Sequence, residues 1–267
     1  MAYEQMLAPV LEKQALAKNI YRMVLQCRSI AQKAEPGQFV HLLPTGCTLR
    51  RPLSICEINK SAGTLTIVFA VKGSGTDALA NVRVGENLDI LGPLGRGFTI
   101  LPDAKHVVVV GGGIGNPPML SLAQVYGARA TAICGFRSAN IVTLQDAFHA
   151  SGAETILCTD DGTAGRHALV TEPLKEQLSG GGVDMVYACG PRPMLKFVAA
   201  SAKPMLRAIK AYAEEKGIEC YLSMEERMGC GIGACLVCAC QLEKEGKSVM
   251  GHVCKDGPVF PAEEVVW

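Results

Sequence analysis

Four cysteines near the C-terminal end constrain this chain more than any other feature. Cys230, Cys235, Cys238 and Cys254 are separated by four, two and fifteen residues, the order of three local ligands and one distant ligand found in plant-type 2Fe-2S sites. Thiolates are the soft ligands such a cluster requires, and Gly229, Gly231 and Gly233 around the first of them let the backbone fold closely over the sulfurs. Backbone N–H groups then face the sulfurs and offset their negative charge. A structural zinc site is the competing reading. Zinc sites place paired ligands two to four residues apart at both ends, and Cys254 has only His252 as such a neighbour. Spacing and glycines favour iron–sulfur.

The chain holds twelve cysteines, six of them from Cys220 onward. Cys220 lies upstream of the loop, on the wrong side for the usual ligand order, and Cys240 stands too close to Cys238 to reach an opposite corner of a cluster. Cys254 is therefore the expected fourth ligand. Cys27, Cys47, Cys56, Cys134, Cys158 and Cys189 sit mostly in apolar settings and read as small buried hydrophobes.

Composition excludes several classes. Lys plus Arg (26) against Asp plus Glu (25) leaves a charge of +1, too even for the basic footprint of nucleic-acid binding. With 49% hydrophobic and 19% charged residues the chain buries a core. Its most apolar stretch, Val107 to Ala123, is broken by four glycines, Asn116 and two prolines, and falls short of the roughly 20 residues a bilayer demands. Glu4, Glu12, Lys13 and Lys18 interrupt any signal-peptide core. No membrane contact is expected, and the cytoplasm is the expected compartment.

The 267 residues leave room for two domains, or three if one is small, at about 150 residues each. Up to about residue 100, short β-rich runs (Gln38 to Leu43, Leu65 to Val71, Asn87 to Leu91) alternate with turn residues, as in an antiparallel barrel or sandwich. From Lys105 the pattern becomes parallel α/β. The apolar runs Val107 to Val110, Thr131 to Cys134, Thr155 to Cys158 and Met185 to Ala188 are separated by helical stretches such as Met119 to Tyr126 and Leu169 to Leu178. A charged helix is expected over Pro204 to Lys216. The expected boundaries are 1–101, 102–217 and 218–267.

Val107 to Val110 runs into Gly111-Gly112-Gly113-Ile114-Gly115-Asn116-Pro117-Pro118. A glycine-rich turn from strand to helix favours phosphate through its N–H groups and the helix dipole. Asn116 fills the third-glycine place, so the dinucleotide fingerprint G-x-G-x-x-G is not met, and a tight turn without a ligand competes with the phosphate reading. Cys189-Gly190-Pro191 ends the last strand of this region, at the edge where open α/β sheets bind ligands. Cys189 either packs against a nicotinamide ring or is one more buried thiol.

Arg50 to Ser54, Lys72 to Thr76, Gly92 to Phe98, Gly111 to Gly115 and Cys189 to Met194 together resemble the ferredoxin reductase superfamily in order and spacing. The tail, Ser223 to Cys235 and Val253 to Phe260, resembles electron-transfer subunits of class 1B dihydroorotate dehydrogenase, and this resemblance covers the whole chain. It implies an FAD-binding β-barrel, a parallel α/β domain for NAD and a small C-terminal 2Fe-2S domain. These would serve a separate FMN-bearing subunit that oxidises dihydroorotate to orotate in pyrimidine biosynthesis, in a heterotetramer of two plus two chains.

By that resemblance the flavin contacts fall on Arg51, Pro52, Leu53, Ser54, Val68, Phe69, Ala70, Gly75 and Thr76. The nicotinamide nucleotide falls on Gly111, Gly112, Gly113, Gly115, Cys189, Gly190 and Pro191. No residue is expected to act as a catalytic acid or base. Two departures stand out: Asn116 replaces a small apolar residue, and about eleven extra residues surround Pro204. Asp160 and Asp161 would repel a 2′-phosphate whereas Arg137 and Ser138 would receive one, so the residues leave NAD and NADP open and the resemblance favours NAD. The rival readings are the flavin subunit of a ferredoxin-NADP oxidoreductase or sulfhydrogenase, and a zinc-stabilised binding module.

Overall fold

The computed structural model describes residues 3–199 and 218–267. They divide into two compact units, one joining the chain up to Phe98 with Glu226–Cys240 and Met250–Val259, the other comprising the rest. Residues of the cysteine-rich tail thus occur in both units. The helix expected over Pro204 to Lys216 lies outside the described residues.

The first unit is built on six strands: β1 (Glu4–Ala17), β2 (Ile20–Gln26), β3 (Phe39–Leu43), β4 (Arg51–Asn59), β5 (Thr64–Ala70) and β6 (Asn87–Leu94). They close into a barrel in the order β1-β2-β5-β4-β3-β6, every neighbouring pair antiparallel. Closure removes the unpaired edges that an open sheet exposes. Alternate side chains then fill the interior, with Val40, Leu42, Ile55, Leu65, Ile67 and Ile90 wholly buried in one core. Helix α1 (Arg28–Lys33) follows β2, and α2 (Ser74–Asn81) follows β5.

Strand β3 is buried on both faces. Val40 and Leu42 point into the barrel core, so Phe39 and His41 lie on the opposite face. The β3–β6 register slips between Phe39 and His41, a local irregularity of the kind that re-aims side chains near sites. Arg50 fastens this region: its guanidinium donates to the His41 and Asp89 carbonyls, both at 3.2 Å, and to the Asp89 carboxylate at 2.7 Å.

In the second unit the chain runs through β7 (Val107–Gly112), α3 (Asn116–Tyr126), β8 (Ala130–Phe136), α4 (Gln145–Ala150), β9 (Glu154–Thr159), β10 (Arg166–His167), α5 (Thr171–Gly180), β11 (Met185–Cys189), a helical stretch at 192–199 and β12 (Glu219–Ser223). A hairpin, β13 (Ala239–Lys244) and β14 (Lys247–His252), and the short β15 (Val259–Pro261) follow. The sheet order is β10-β9-β8-β7-β11-β12-β15, with β7 to β12 pairing in parallel. Val107 to Val110 are buried on both sides, which is why this strand reads as an unbroken apolar run. Successive strands step outward from β7 to β10, and the chain then returns to place β11 on the other side of β7. This reversal is a topological switch point, whose crevice at the carboxyl ends of the strands binds ligands.

Burial of Ile67 in the barrel generates a stability prediction. Ile67→Ala is expected to cost about 2–5 kcal/mol, read as a fall in the urea midpoint with unchanged slope. A midpoint equal to that of the unsubstituted chain contradicts the placement of β5 in the core.

Candidate functional site

Loop residues 229–238 wrap their backbone around two pairs of thiols. Cys230 and Cys235 exchange N–H···S contacts at 3.3 and 3.4 Å. Cys238 and Cys254 have their sulfurs 3.1 Å apart, and the Cys254 N–H donates to Cys238 Sγ at 3.4 Å. Ile232 and Ala234 N–H also point at Cys230 Sγ, at 3.4 and 3.2 Å, and Gly233 N–H points at Cys254 Sγ at 3.1 Å. Positive φ at Gly231 (75°), Gly233 (86°) and Leu236 (62°) turns these amides inward. For leucine that conformation is strained. A side chain at Gly229 would meet Cys235 Sγ at 3.1 Å, so the glycine leaves the sulfur its space.

The electrostatics suit thiolate ligation. Burial pushes the Cys230 thiol up, but the N–H donors of Ile232, Cys235 and Ala234 outweigh it and bring the pKa to about 6. Cys254 is pushed up to about 12 by burial and by the adjacent Cys238 thiol. Metal binding displaces such a proton. The two thiol pairs, Cys230 with Cys235 and Cys238 with Cys254, would give each metal of a two-iron cluster two sulfurs. Cys220, in contrast, is buried in β12 and pushed up to about 12 by desolvation. Cys240 opens β13 beside Ala239.

The cysteine loop packs on the barrel. A side chain at Gly231 would strike His41 Nδ1 at 2.6 Å, and one at Gly95 would strike Pro258 Cδ at 2.5 Å and the Phe39 ring at 3.0 Å. Arg96 N–H donates to the Gly257 carbonyl at 2.6 Å. The outer face of β3 is therefore covered, leaving His41 0% and Phe39 3% exposed. Burial, followed by the charges of Arg50 and Arg51, holds His41 down at a pKa of about 4, opposed by the Cys230 backbone.

Arg51 to Ser54 open β4, where His41 pairs with Pro52 and Phe39 with Ser54. Val68, Phe69 and Ala70 end β5, and Gly75 and Thr76 lie in the first turn of α2. Arg51 and Gly75 meet directly: a Cβ on Gly75 would overlap the guanidinium. Thr76 Oγ1 accepts from the N–H groups of Lys72 and Gly73, at 2.8 and 3.2 Å, and donates to the Gly73 carbonyl at 3.0 Å, fixing the turn before the helix. The three segments expected to hold flavin are thus neighbours on one barrel.

At the switch point, Gly111 pairs with Cys189 in parallel register. Gly115 lies against the Cys189 carbonyl so closely that a Cβ there would overlap it, and Met194 occupies the space of a side chain on Gly112 or Gly190. Gly113 takes φ +54° in the short 3-10 turn Gly113–Gly115. Asn116 opens α3 with Pro117 and Pro118 at the start of the helix. Its side-chain amide donates to the carbonyls of Gly113 (3.0 Å) and Gly135 (3.3 Å), clamping the turn to β8. Cys189 is 2% exposed, and burial pushes its thiol up to about 12. Pro191 is exposed beside it. Asp161, in the turn after β9, has its carboxyl held below the usual range by the Thr163 hydroxyl.

His41 and Leu236 are the site residues that sequence motifs did not mark. His41 alone had a signal, as the one polar residue in Phe39–Leu43.

Residues 225–266 match the family model for the iron–sulfur cluster binding domain of dihydroorotate dehydrogenase B. Over 269 residues the chain is 40% identical to the electron transfer subunit of dihydroorotate dehydrogenase B (NAD(+)) from Bacillus cereus (strain G9842), covering 96% of each. The corresponding subunit of Geobacillus sp. (strain WCH70) is 40% identical over 274 residues, covering 100% of this chain and 99% of the relative. Among solved structures, an NADH-dependent reduced ferredoxin-NADP oxidoreductase superposes with a TM-score of 0.82 at 26% identity, over 98% of this chain and 90% of its own. A ferredoxin NADP+ reductase from Neisseria gonorrhoeae shares the fold, with a TM-score of 0.62 at 16% identity, over 76% of this chain and 91% of its own. Among the described residues no helix is long and apolar enough to cross a membrane. The chain belongs to the family of electron transfer subunits of dihydroorotate dehydrogenase B.

Proposed function

We propose that this chain carries electrons from dihydroorotate, oxidised in a separate FMN-bearing subunit, through a 2Fe-2S cluster and FAD to NAD+ in pyrimidine biosynthesis. The observation that carries the reading is the convergence of Cys230, Cys235, Cys238 and Cys254 in two pairs under inward-pointing amides. A bound flavin supplies the exchange between hydride pairs, which a nicotinamide requires, and single electrons, which a cluster requires.

The residues divide the remaining work. Arg51, given room by Gly75, offers a guanidinium to a pyrophosphate. Pro52, Leu53, Ser54, Val68, Phe69, Ala70 and Thr76 complete the flavin segment. Gly111, Gly112, Gly113 and Gly115 present the turn before α3 to the phosphates of NAD, with Cys189, Gly190 and Pro191 across the switch point. The ionised Asp161 disfavours a 2′-phosphate, in keeping with the NAD(+) in the relatives' names. The four thiolates hold the irons, and no side chain acts as general base because substrate chemistry belongs to the partner.

The partner reading has its own support. Cys235 is exposed, and beside it Leu236 (61%) and Val237 (57%) present apolar side chains to solvent; such a rim at the mouth of an electron carrier suits a docked subunit. A two-plus-two heterotetramer in the cytoplasm is the assembly we propose. We also keep 1–101, 102–217 and 218–267 as the flavin, nucleotide and cluster divisions of the sequence.

Visible and EPR spectra of the anaerobically purified chain test the assignment, with FAD and a 2Fe-2S cluster expected and a flavin-free protein contradicting it. Cys254→Ser is expected to abolish or strongly alter the cluster spectrum while keeping FAD, whereas Cys220→Ser and Cys240→Ser keep both; a cluster intact in Cys254→Ser and lost in Cys240→Ser reverses the ligand choice. Arg51→Ala is expected to weaken flavin retention by about 1.5–3 kcal/mol, the range for a hydrogen bond to a charged group, with iron content unchanged. Gly115→Ala, whose new methyl overlaps the Cys189 carbonyl, is expected to weaken NADH binding in a calorimetric titration while leaving FAD and iron in place; unaltered affinity removes the turn from the nucleotide site.

A further inference from the structure

His41 is the one wholly buried imidazole of the barrel; neither of its ring nitrogens has a hydrogen-bond partner of good geometry, and the Cys230 backbone is the hydrogen-bonding group that acts on the ring. A neutral imidazole carries one N–H donor and one acceptor, and an interior donor without an acceptor is costly. A buried imidazole so poorly partnered is explained by what it faces. Nδ1 faces the cysteine loop at Gly231, and the Cys230 backbone is a polar group acting on the ring. On the other side, the register pairs His41 with Pro52 and Phe39 with Ser54. Cross-strand partners share a face, so His41 stands on the same outer face as the Pro52 and Ser54 side chains of the expected flavin segment. The Phe39 ring, edge-on at 6.0 Å, buttresses the imidazole, and the Arg50 guanidinium holds the His41 carbonyl. The ring is thus buttressed by Phe39 and faces Gly231, while Arg50 holds the strand that carries it.

We propose that His41 is a positioning residue for the iron–sulfur cluster, whose ring N–H, directed at the Cys230–Gly231 backbone of the cysteine loop, sets both the seating of the loop against β3 and the cluster's reduction potential. The inference rests on the 2Fe-2S assignment made above. Donors directed at a cluster stabilise its more negative, reduced state and so raise the potential. His41 lies far in sequence from the four cysteines, and it couples their loop to the Arg51–Ser54 segment through a single pair of neighbouring strands.

The test uses the full chain, purified anaerobically, as the unsubstituted protein, His41→Leu and His41→Asn. Leucine removes the donor and keeps much of the bulk; asparagine returns an N–H close to the position of Nδ1. Iron and flavin are measured first, followed by an EPR-monitored redox titration. Flavin is expected to be unchanged in all three. In His41→Leu the one-electron reduction equilibrium is expected to fall tenfold, which is about 59 mV, and His41→Asn is expected to recover at least half of that shift. Loss of iron from the leucine variant with retention in the asparagine variant supports the proposal equally. An unshifted potential in His41→Leu overturns it, as does equal loss of potential or of iron in both variants, which assigns His41 to packing alone. Iron missing from the unsubstituted protein overturns the cluster assignment instead and is read before either variant.

Discussion

The seating of the cysteine loop on the outer face of β3 is the contact on which the rest of the first unit depends. A barrel strand ordinarily turns one face to its core and the other to water. Here the outward Phe39 and His41 are buried as fully as the inward Val40 and Leu42. The loop can approach because Gly231 and Gly95 carry no side chains where His41, Phe39 and Pro258 press in. The Arg96 N–H to Gly257 carbonyl bond holds the far end of the same segment. The four cysteines expected to hold the cluster therefore belong to the same compact body as Arg51, Ser54 and Gly75.

The two expected cofactor regions of this unit solve one problem by similar means. Each must bring negative charge against backbone or guanidinium donors. At Cys230 the donors are amides turned inward by positive φ, and their combined effect exceeds the cost of burial. At Arg51 the donor is a side chain that passes over a glycine. In the second unit, the turn after β7 again uses missing side chains, with Gly115 pressed on the Cys189 carbonyl and Met194 filling the space over Gly112 and Gly190. Asn116, which departs from the usual glycine pattern, clamps this turn through two carbonyls instead of loosening it.

What the sequence revealed, and what it concealed, follows from the range of the interactions. The first three of the expected cysteine ligands, Cys230, Cys235 and Cys238, fall within nine residues, so their spacing alone reported the loop. The glycine-rich turn and the apolar run before it are equally local. The parallel strands were legible because burial on both faces leaves uninterrupted valines, as at Val107 to Val110. The long β1 was not, since its burial mixes exposed and half-buried positions without a clean period. His41 and Leu236 remained hidden for a different reason. The first matters through what approaches it from elsewhere in the chain, and Leu236 through a backbone angle that its residue type disfavours. The pairing of the thiols likewise became visible only in three dimensions.

The central claim is that one chain joins nicotinamide, flavin and cluster in a single electron circuit. Anaerobic titration of the isolated chain with NADH, followed by absorbance and EPR on the same samples, tests it most directly. The account predicts that flavin bleaching is accompanied by the EPR signal of a reduced 2Fe-2S cluster without any partner present. Flavin fully bleached by NADH beside a cluster that dithionite reduces and NADH leaves oxidised would contradict it.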